Sequence, residues 1–402
     1  MTPAERRSSL SLAFIYALRM LGLFLVLPVF ALEARNYPGG DDPALVGLAM
    51  GIYGLTQGVL QLPFGMASDR LGRKRVIVFG LLVFAGGSFL AAAADTLAGL
   101  VAGRSLQGAG AVSAVVTALL ADQTRDAVRT KAMAMVGASI GLMFAVSLVA
   151  APLLVELVRL PGLFVVTGVL AIAGVAVVLW LVPPETARQA PVARSGLGDV
   201  LRHVPTLRLN FGVFVLHALL LAMWVGVPAL LVQAGLPPQH HWWVYLPAVV
   251  ASFGVMAATL FPLERRGYLR AVFLCAIGII ALVQLGLAAA AASPGIAVLA
   301  LLMFLFFCGS NVLEACQPSI ASRAAPPHAR GAALGVYNTL QSLGFFAGGA
   351  VGGWLAKNFG LQGLFGACAG LMFLWLLVAW PMRAPGPARP VEGALAGEAQ
   401  AG

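Results

Sequence analysis

The chain is a series of apolar blocks, each roughly 20 to 25 residues long, set apart by short charged or Pro/Gly-rich breaks. A helix of that length covers about 30 Å, the hydrocarbon thickness of a bilayer. Of the 402 residues 60% are apolar and only 10% charged, against about 25% charged in a soluble domain. A soluble enzyme is excluded. The net charge of +10 does not point to a nucleic-acid partner, because the basic residues sit at the ends of apolar blocks rather than on a soluble face.

The breaks predict twelve spanning helices, at about 8–32, 43–67, 75–94, 97–121, 131–155, 161–183, 207–233, 241–262, 270–291, 296–321, 331–355 and 362–382. The expected fold class is an all-α membrane protein of two six-helix halves related by a pseudo-two-fold axis. An even count puts both termini on one side. Segments on the side of the N-terminus then carry 20 of the 25 Lys and Arg residues, the opposite side carries Arg35, Arg159 and Lys357, and Arg19 and Arg104 fall inside helices. Basic residues concentrate on the cytoplasmic side, so both termini are expected there, with the first apolar run retained as an uncleaved helix because Arg19 interrupts it. The four cysteines lie within apolar stretches without metal spacing and read as core thiols.

The expected organisation is a half at 1–183, a cytoplasmic linker at 184–206, a second half at 207–383 and a cytoplasmic tail at 384–402 too poor in apolar bulk to fold alone. Internal repetition supports the division. Asp69-Arg70-Leu71-Gly72 recurs as Glu264-Arg265-Arg266-Gly267, and Arg129 matches Arg330 at a shift of 201. A repeat of like orientation implies an axis along the membrane normal and a central site between the halves, a plan that suits alternating access.

Between the second and third helices stands Gly65-Met66-Ala67-Ser68-Asp69-Arg70-Leu71-Gly72-Arg73-Lys74-Arg75. It resembles the signature loop of the major facilitator superfamily. Helix 4 carries Arg104-Ser105-Leu106-Gln107-Gly108-Ala109-Gly110, which resembles the second signature of that superfamily's proton-linked members, where the arginine is associated with proton coupling. Leu18-Arg19-Met20-Leu21-Gly22, Gly51-Ile52-Tyr53-Gly54-Leu55-Thr56-Gln57 and Gly335-Val336-Tyr337-Asn338 look more narrowly like the YajR-type inner-membrane transporters of bacteria. Those transporters carry a cytoplasmic domain after helix 12, where this tail is short. The helix 5 signature of antiporters is only part kept: Gly137 and Gly141 are present, but Pro152 follows Ala151 and precedes Leu153-Leu154.

The signature loop is readable as an orientation signal or as a latch. Gly65 and Gly72 permit close approach and a tight turn, and Asp69 at a helix end can face a positive helix N-terminus. The resemblance implies that this N-terminus belongs to helix 11, which opens with Gly331 and Ala332. Asp122, closing helix 4, is the natural partner of Arg73. Together Gly65, Asp69, Arg70, Gly72, Arg73 and Asp122 form the expected latch between outward-open and inward-open states.

Three charged residues fall deep within spans: Arg19, Arg104 and Glu314. Each costs roughly 2.5–3.5 kcal/mol there, so all three are candidates for proton coupling. A lone carboxyl among Asn311, Gln317 and Pro318 suits a site that takes up and releases a proton, while the plainer reading is a neutral acid bonded to a neighbouring helix. For Arg104 the alternative is a bond to carbonyls of another helix. Arg19 could meet Glu314 across the cavity. Gln57, Gln61, Gln107, His217, Asn311, Tyr337, Asn338 and Gln341 are candidate cavity lining or interhelical bonds. The expected activity is proton-coupled export of small apolar or amphipathic compounds by antiport, with the proton gradient in place of a cofactor and a monomer in the bilayer. Uptake symport is the alternative, followed by a non-transporting receptor; an enzyme lacks any nucleophile–base pair.

Overall fold

The computed structural model describes residues 1–110, 112–185, 197–324 and 330–382, and within them the chain is helical almost throughout. The helices are α1 (Pro3–Glu33), α2 (Pro43–Leu71), α3 (Arg73–Ala92), α4 (Leu97–Ala109), α5 (Ser113–Asp122), α6 (Asp126–Trp180), α7 (Leu197–Arg202), α8 (Val204–Gln233), α9 (Trp242–Arg265), α10 (Leu269–Ala290), α11 (Ile296–Ala324) and α12 (Arg330–Ala379). Five of the expected spans differ in form. The fourth is broken into α4 and α5 around Gly110, and the expected gaps at 156–160 and 356–361 close to single residues inside α6 and α12. Of the tail at 384–402 and the linker, residues 384–402 and 186–196 lie outside the described residues, and the short α7 occupies part of the remainder.

Ten helical stretches among the described residues are long and apolar enough to cross a membrane. Those within α6 and α12 have 50 and 48 residues, about twice the length one crossing needs. Both double back. Ser139 and Phe144, in the first arm of α6, meet Ala13 and Phe24 of α1. Its second arm runs the other way, with Phe164 against Phe30, Thr167 against Gly22, and the Leu181 carbonyl beyond its end accepting from Arg7. In α12, Gly344 and Gly348 lie on Phe214 and Ala218 of α8, whereas Phe365 and Trp375 return along Gly226 and Gly212. If each arm makes one crossing, the twelve expected passes follow.

The reversals sit at Arg159 (φ 56°, ψ −177°) and Gly360 (φ 68°, ψ −175°). Their separation of 201 equals the Arg129 to Arg330 shift. This backbone region is open essentially to glycine alone. The first reversal keeps an arginine where the second has the residue that fits.

A close seam joins α2 to α12. Methyl groups added at Gly47 or Gly349 would come within 2.2 and 2.5 Å of the other helix's carbonyl oxygen, so only bare backbone allows this approach. At the end of the seam Lys357 Nζ donates to Asp42 Oδ2 at 2.7 Å while Asp42 Oδ1 caps α2 through Ala44 N–H at 2.9 Å. The bond from Lys357 holds the Asp42 carboxyl below the usual carboxylate range. Further along α2 the seam opens: a methyl at Gly65 would meet nothing within 4 Å. Among the described residues the close helix approach expected at Gly65 is therefore not seen in this state. Cys308, Cys316 and Cys368 are buried as expected, whereas Cys275 is exposed on the outer face of α10.

Arg159→Gly should raise the stability of the purified protein by about 1–2 kcal/mol and Gly360→Ala should lower it by a similar amount, since each changes the cost of one Gly-only backbone conformation. Thermal unfolding in one detergent measures both.

Candidate functional site

At the end of the bundle that carries the N-terminus, Gly72 (φ 103°) turns the chain between α2 and α3. Arg73 then reaches three elements. Its guanidinium lies 2.8 Å from Asp69 Oδ1 and 3.1 Å from Asp122 Oδ2, and donates to Ser68 Oγ at 2.6 Å. One side chain thus ties α2, α3 and α5 together. Glu185, just past α6, accepts from the backbone N–H groups of Arg73 and Lys74 at 3.2 and 2.7 Å, placing a negative charge on the positive end of α3. Sequence reading missed it; the one signal was an acid directly after Pro183-Pro184. Lys74 Nζ donates to the Val182 carbonyl at 2.6 Å and closes the same knot. Arg70 is exposed beside it. The contact expected between Asp69 and helix 11 involves Gly331, whose surroundings lie outside what is described. In the second half Glu264, which matches Asp69 in the repeat, pairs with Arg323 at 3.4 Å between α9 and α11.

Deeper in the bundle, Glu314 of α11 meets His217 of α8, with Oε1 2.9 Å from Nε2 but off the line of a hydrogen bond. His217 Nδ1 is 2.8 Å from the Val213 carbonyl. A carbonyl only accepts, so Nδ1 carries the proton here and Nε2 is the ring nitrogen that faces Glu314 and Gln341. Gln341 of α12 places its amide 2.7 Å from that same Nε2. With Nε2 bare, the amide donates to it; with Nε2 protonated, its proton and charge face the Glu314 carboxylate. His217 is 2% exposed and the Glu314 side chain 38%, so one member of the pair is buried and the other partly open.

The two buried arginines stand elsewhere. Arg19 donates to Ser113 Oγ at 2.7 Å and to the Tyr53 hydroxyl. Arg104 donates to Gln107 Oε1 at 3.0 Å and to the Met50 carbonyl at 3.4 Å, with its guanidinium 5.1 Å from the centre of the Tyr53 ring. Gly108 makes this possible, since a methyl there would come within 2.2 Å of the Tyr53 carbonyl. The expected meeting of Arg19 with Glu314 does not occur, because Arg19 turns into the first bundle toward Ser113 and Tyr53. Among the other candidates, Gln107 is buried and donates to Ser88 of α3, Asn311 donates to Ser252 of α9, and the Tyr337 hydroxyl donates to Gln317. These are interhelical bonds. Gln61 is also buried, and Gln57, Asn338 and Gln341 are half-buried.

Phe24, Phe144, Trp224, Tyr245 and Phe307, from α1, α6, α8, α9 and α11, form a chain of edge-to-face contacts with centroids 5.2 to 6.3 Å apart. They link helices of the first half, α1 and α6, to helices of the second, α8, α9 and α11.

The sequence profile of the Major Facilitator Superfamily matches residues 12–349 and 262–400. The chain belongs to the Major Facilitator Superfamily. Its relatives are transporters, not enzymes. It is 41% identical over 389 residues to the inner membrane transport protein YajR of Escherichia coli K12, covering 96% of this chain and 85% of that protein. The multidrug resistance protein MdtH of Aeromonas salmonicida is 26% identical over 90% of each chain. The crystal structure of the nucleoside transporter NupG matches 93% of this chain and 99% of its own, with a TM-score of 0.75 at 14% identity. That likeness concerns the fold.

Glu185→Gln keeps the shape of the cap on α3 but removes its charge, and should lower stability by about 0.5–1 kcal/mol. The loss should shrink in high salt, because the group is near the surface. Thermal unfolding at low and high salt checks it.

Proposed function

We propose that this protein is a proton-coupled secondary transporter of the inner membrane that exports small apolar or amphipathic compounds by antiport. In this reading two six-helix halves, 1–183 and 207–383, rock about a central site as a monomer, with both termini in the cytoplasm. The observation that carries it is the His217–Glu314–Gln341 group. It supplies one nitrogen that alternates between two partners, a buried member and an exchangeable one, on three helices of one half. Proton uptake there exchanges an amide contact for a charge pair, which gives the two states different energies and so lets a proton gradient bias them. Arg73, Asp69 and Asp122 act as the cytoplasmic latch with Arg70 at its edge. Asp42 and Lys357 hold the opposite end, and the tight seam there against the open space at Gly65 among the described residues fits an inward-open state.

Export is favoured over uptake by the likeness to a multidrug resistance protein and by the aromatic chain around Phe144 and Trp224, which offers an apolar surface without a fixed polar code. In proteoliposomes with an imposed pH gradient, Glu314→Gln should lose gradient-driven flux by at least tenfold while retaining exchange of cargo across equal pH. Full gradient-driven flux with an unchanged pH profile in that variant would remove Glu314 from coupling. Accumulation of cargo alongside protons, rather than against them, would make the wild-type protein a symporter.

A further inference from the structure

Arg19 and Arg104 are each 2% exposed, and both sit within membrane-spanning helices. Two guanidinium groups carry ten N–H donors. Among the described residues four hydrogen bonds are made, to Ser113, Tyr53, Gln107 and the Met50 carbonyl, and every one of these acceptors is neutral. The Nε of each arginine is buried without any partner. Among the described residues no carboxylate balances them: the deep acid, Glu314, belongs to His217, and the other acids lie at or near helix ends. The nearest aromatic faces, Tyr53 beside Arg104 and Phe84 beside Arg19 at 5.8 Å, stabilise a cation weakly compared with an anion. Buried charges in membrane helices are otherwise paired or open to water. Two like charges sharing one tyrosine in a buried setting are a standing imbalance.

We propose that Arg19, Arg104 and Tyr53 form an anion seat inside the first bundle, which takes one small monovalent anion, either a free ion or the carboxylate end of an amphipathic cargo. The seat supplies unsatisfied N–H donors of fixed, planar geometry suited to a carboxylate. Tyr53 serves both sides, through its hydroxyl toward Arg19 and its ring toward Arg104. Phe24, where the aromatic chain begins, lies five residues beyond Arg19, about 7.5 Å further along α1, a separation that the apolar body of a cargo bound by its carboxylate can span. The cargo arm of this proposal deepens the export reading; the free-ion arm stands without it.

The test is binding to the purified full chain in neutral detergent, with no gradient, so that it is independent of coupling. Sodium benzoate and sodium chloride are titrated separately at constant ionic strength made up with a bulky sulfonate, and the unfolding temperature is followed. A saturable rise with benzoate alone identifies the carboxylate of a cargo; a rise with chloride identifies a resident free ion. In either case Arg19→Gln and Arg104→Gln should weaken the response at least tenfold, and each should unfold no earlier than wild type without the ion, because one of two repelling charges is gone. Arg104→Lys, which keeps the charge, should retain a weakened response and serves if a Gln variant fails to fold. Absence of any saturable response in the wild type, or a response kept within twofold in the Gln variants, would overturn the seat and leave the arginines as interhelical bonds.

Discussion

A bilayer core offers no water, so every polar group carried into it must find its partner inside the protein. That requirement shapes this chain from the backbone outward. It makes each apolar block a helix. It also favours the glycine contacts between α2 and α12, because helices in lipid gain little from burying one apolar face against another and gain more from close approach. The seam and the ion pair of Asp42 with Lys357 hold one end of the bundle. At the other end the polar knot around Arg73 organises the first half separately.

The same requirement sorts the three deep charges. Glu314 has a partner that can change its own charge, and the pair lies where one member is buried and the other partly open. Arg19 and Arg104 have only neutral partners and leave donors unused. A structure built only for stability would have replaced such groups with apolar ones or supplied their counter-charges. That they persist in different environments argues for different tasks, proton exchange in the second half and anion recognition in the first.

Much of the fold was legible because charges and prolines mark where a helix must leave the lipid. The ends of α2, α8, α10 and α11 fall within a few residues of the positions read from them. The reversals were legible only as breaks, because no pattern in Leu160-Pro161 or Phe359-Gly360 tells a one-residue turn from a short loop. The signature loop could be read nearly whole, since Asp69, Arg73 and Asp122 recur in a known arrangement, but Glu185 could not, being 112 residues from Arg73. Glu314 stood out by being charged in an apolar block. Its partner did not: His217 is one polar residue on a separate helix, and only the packing of α8 between α11 and α12 brings it to Glu314 and Gln341. Tyr53 stood in a stretch that resembles known transporters, but nothing in the sequence tied it to Arg19 and Arg104, which lie on other helices.

The account rests on His217 Nε2 being the nitrogen that exchanges its proton beside Glu314. Nitrogen-15 magnetic resonance of the single labelled imidazole, followed against pH in lipid, observes this directly. The account predicts that Nδ1 stays protonated throughout, held by the Val213 carbonyl, while Nε2 titrates, and that the titration moves in Glu314→Gln. A neutral ring with its proton on Nε2 across the whole range, or a titration that is the same in both proteins, would contradict it.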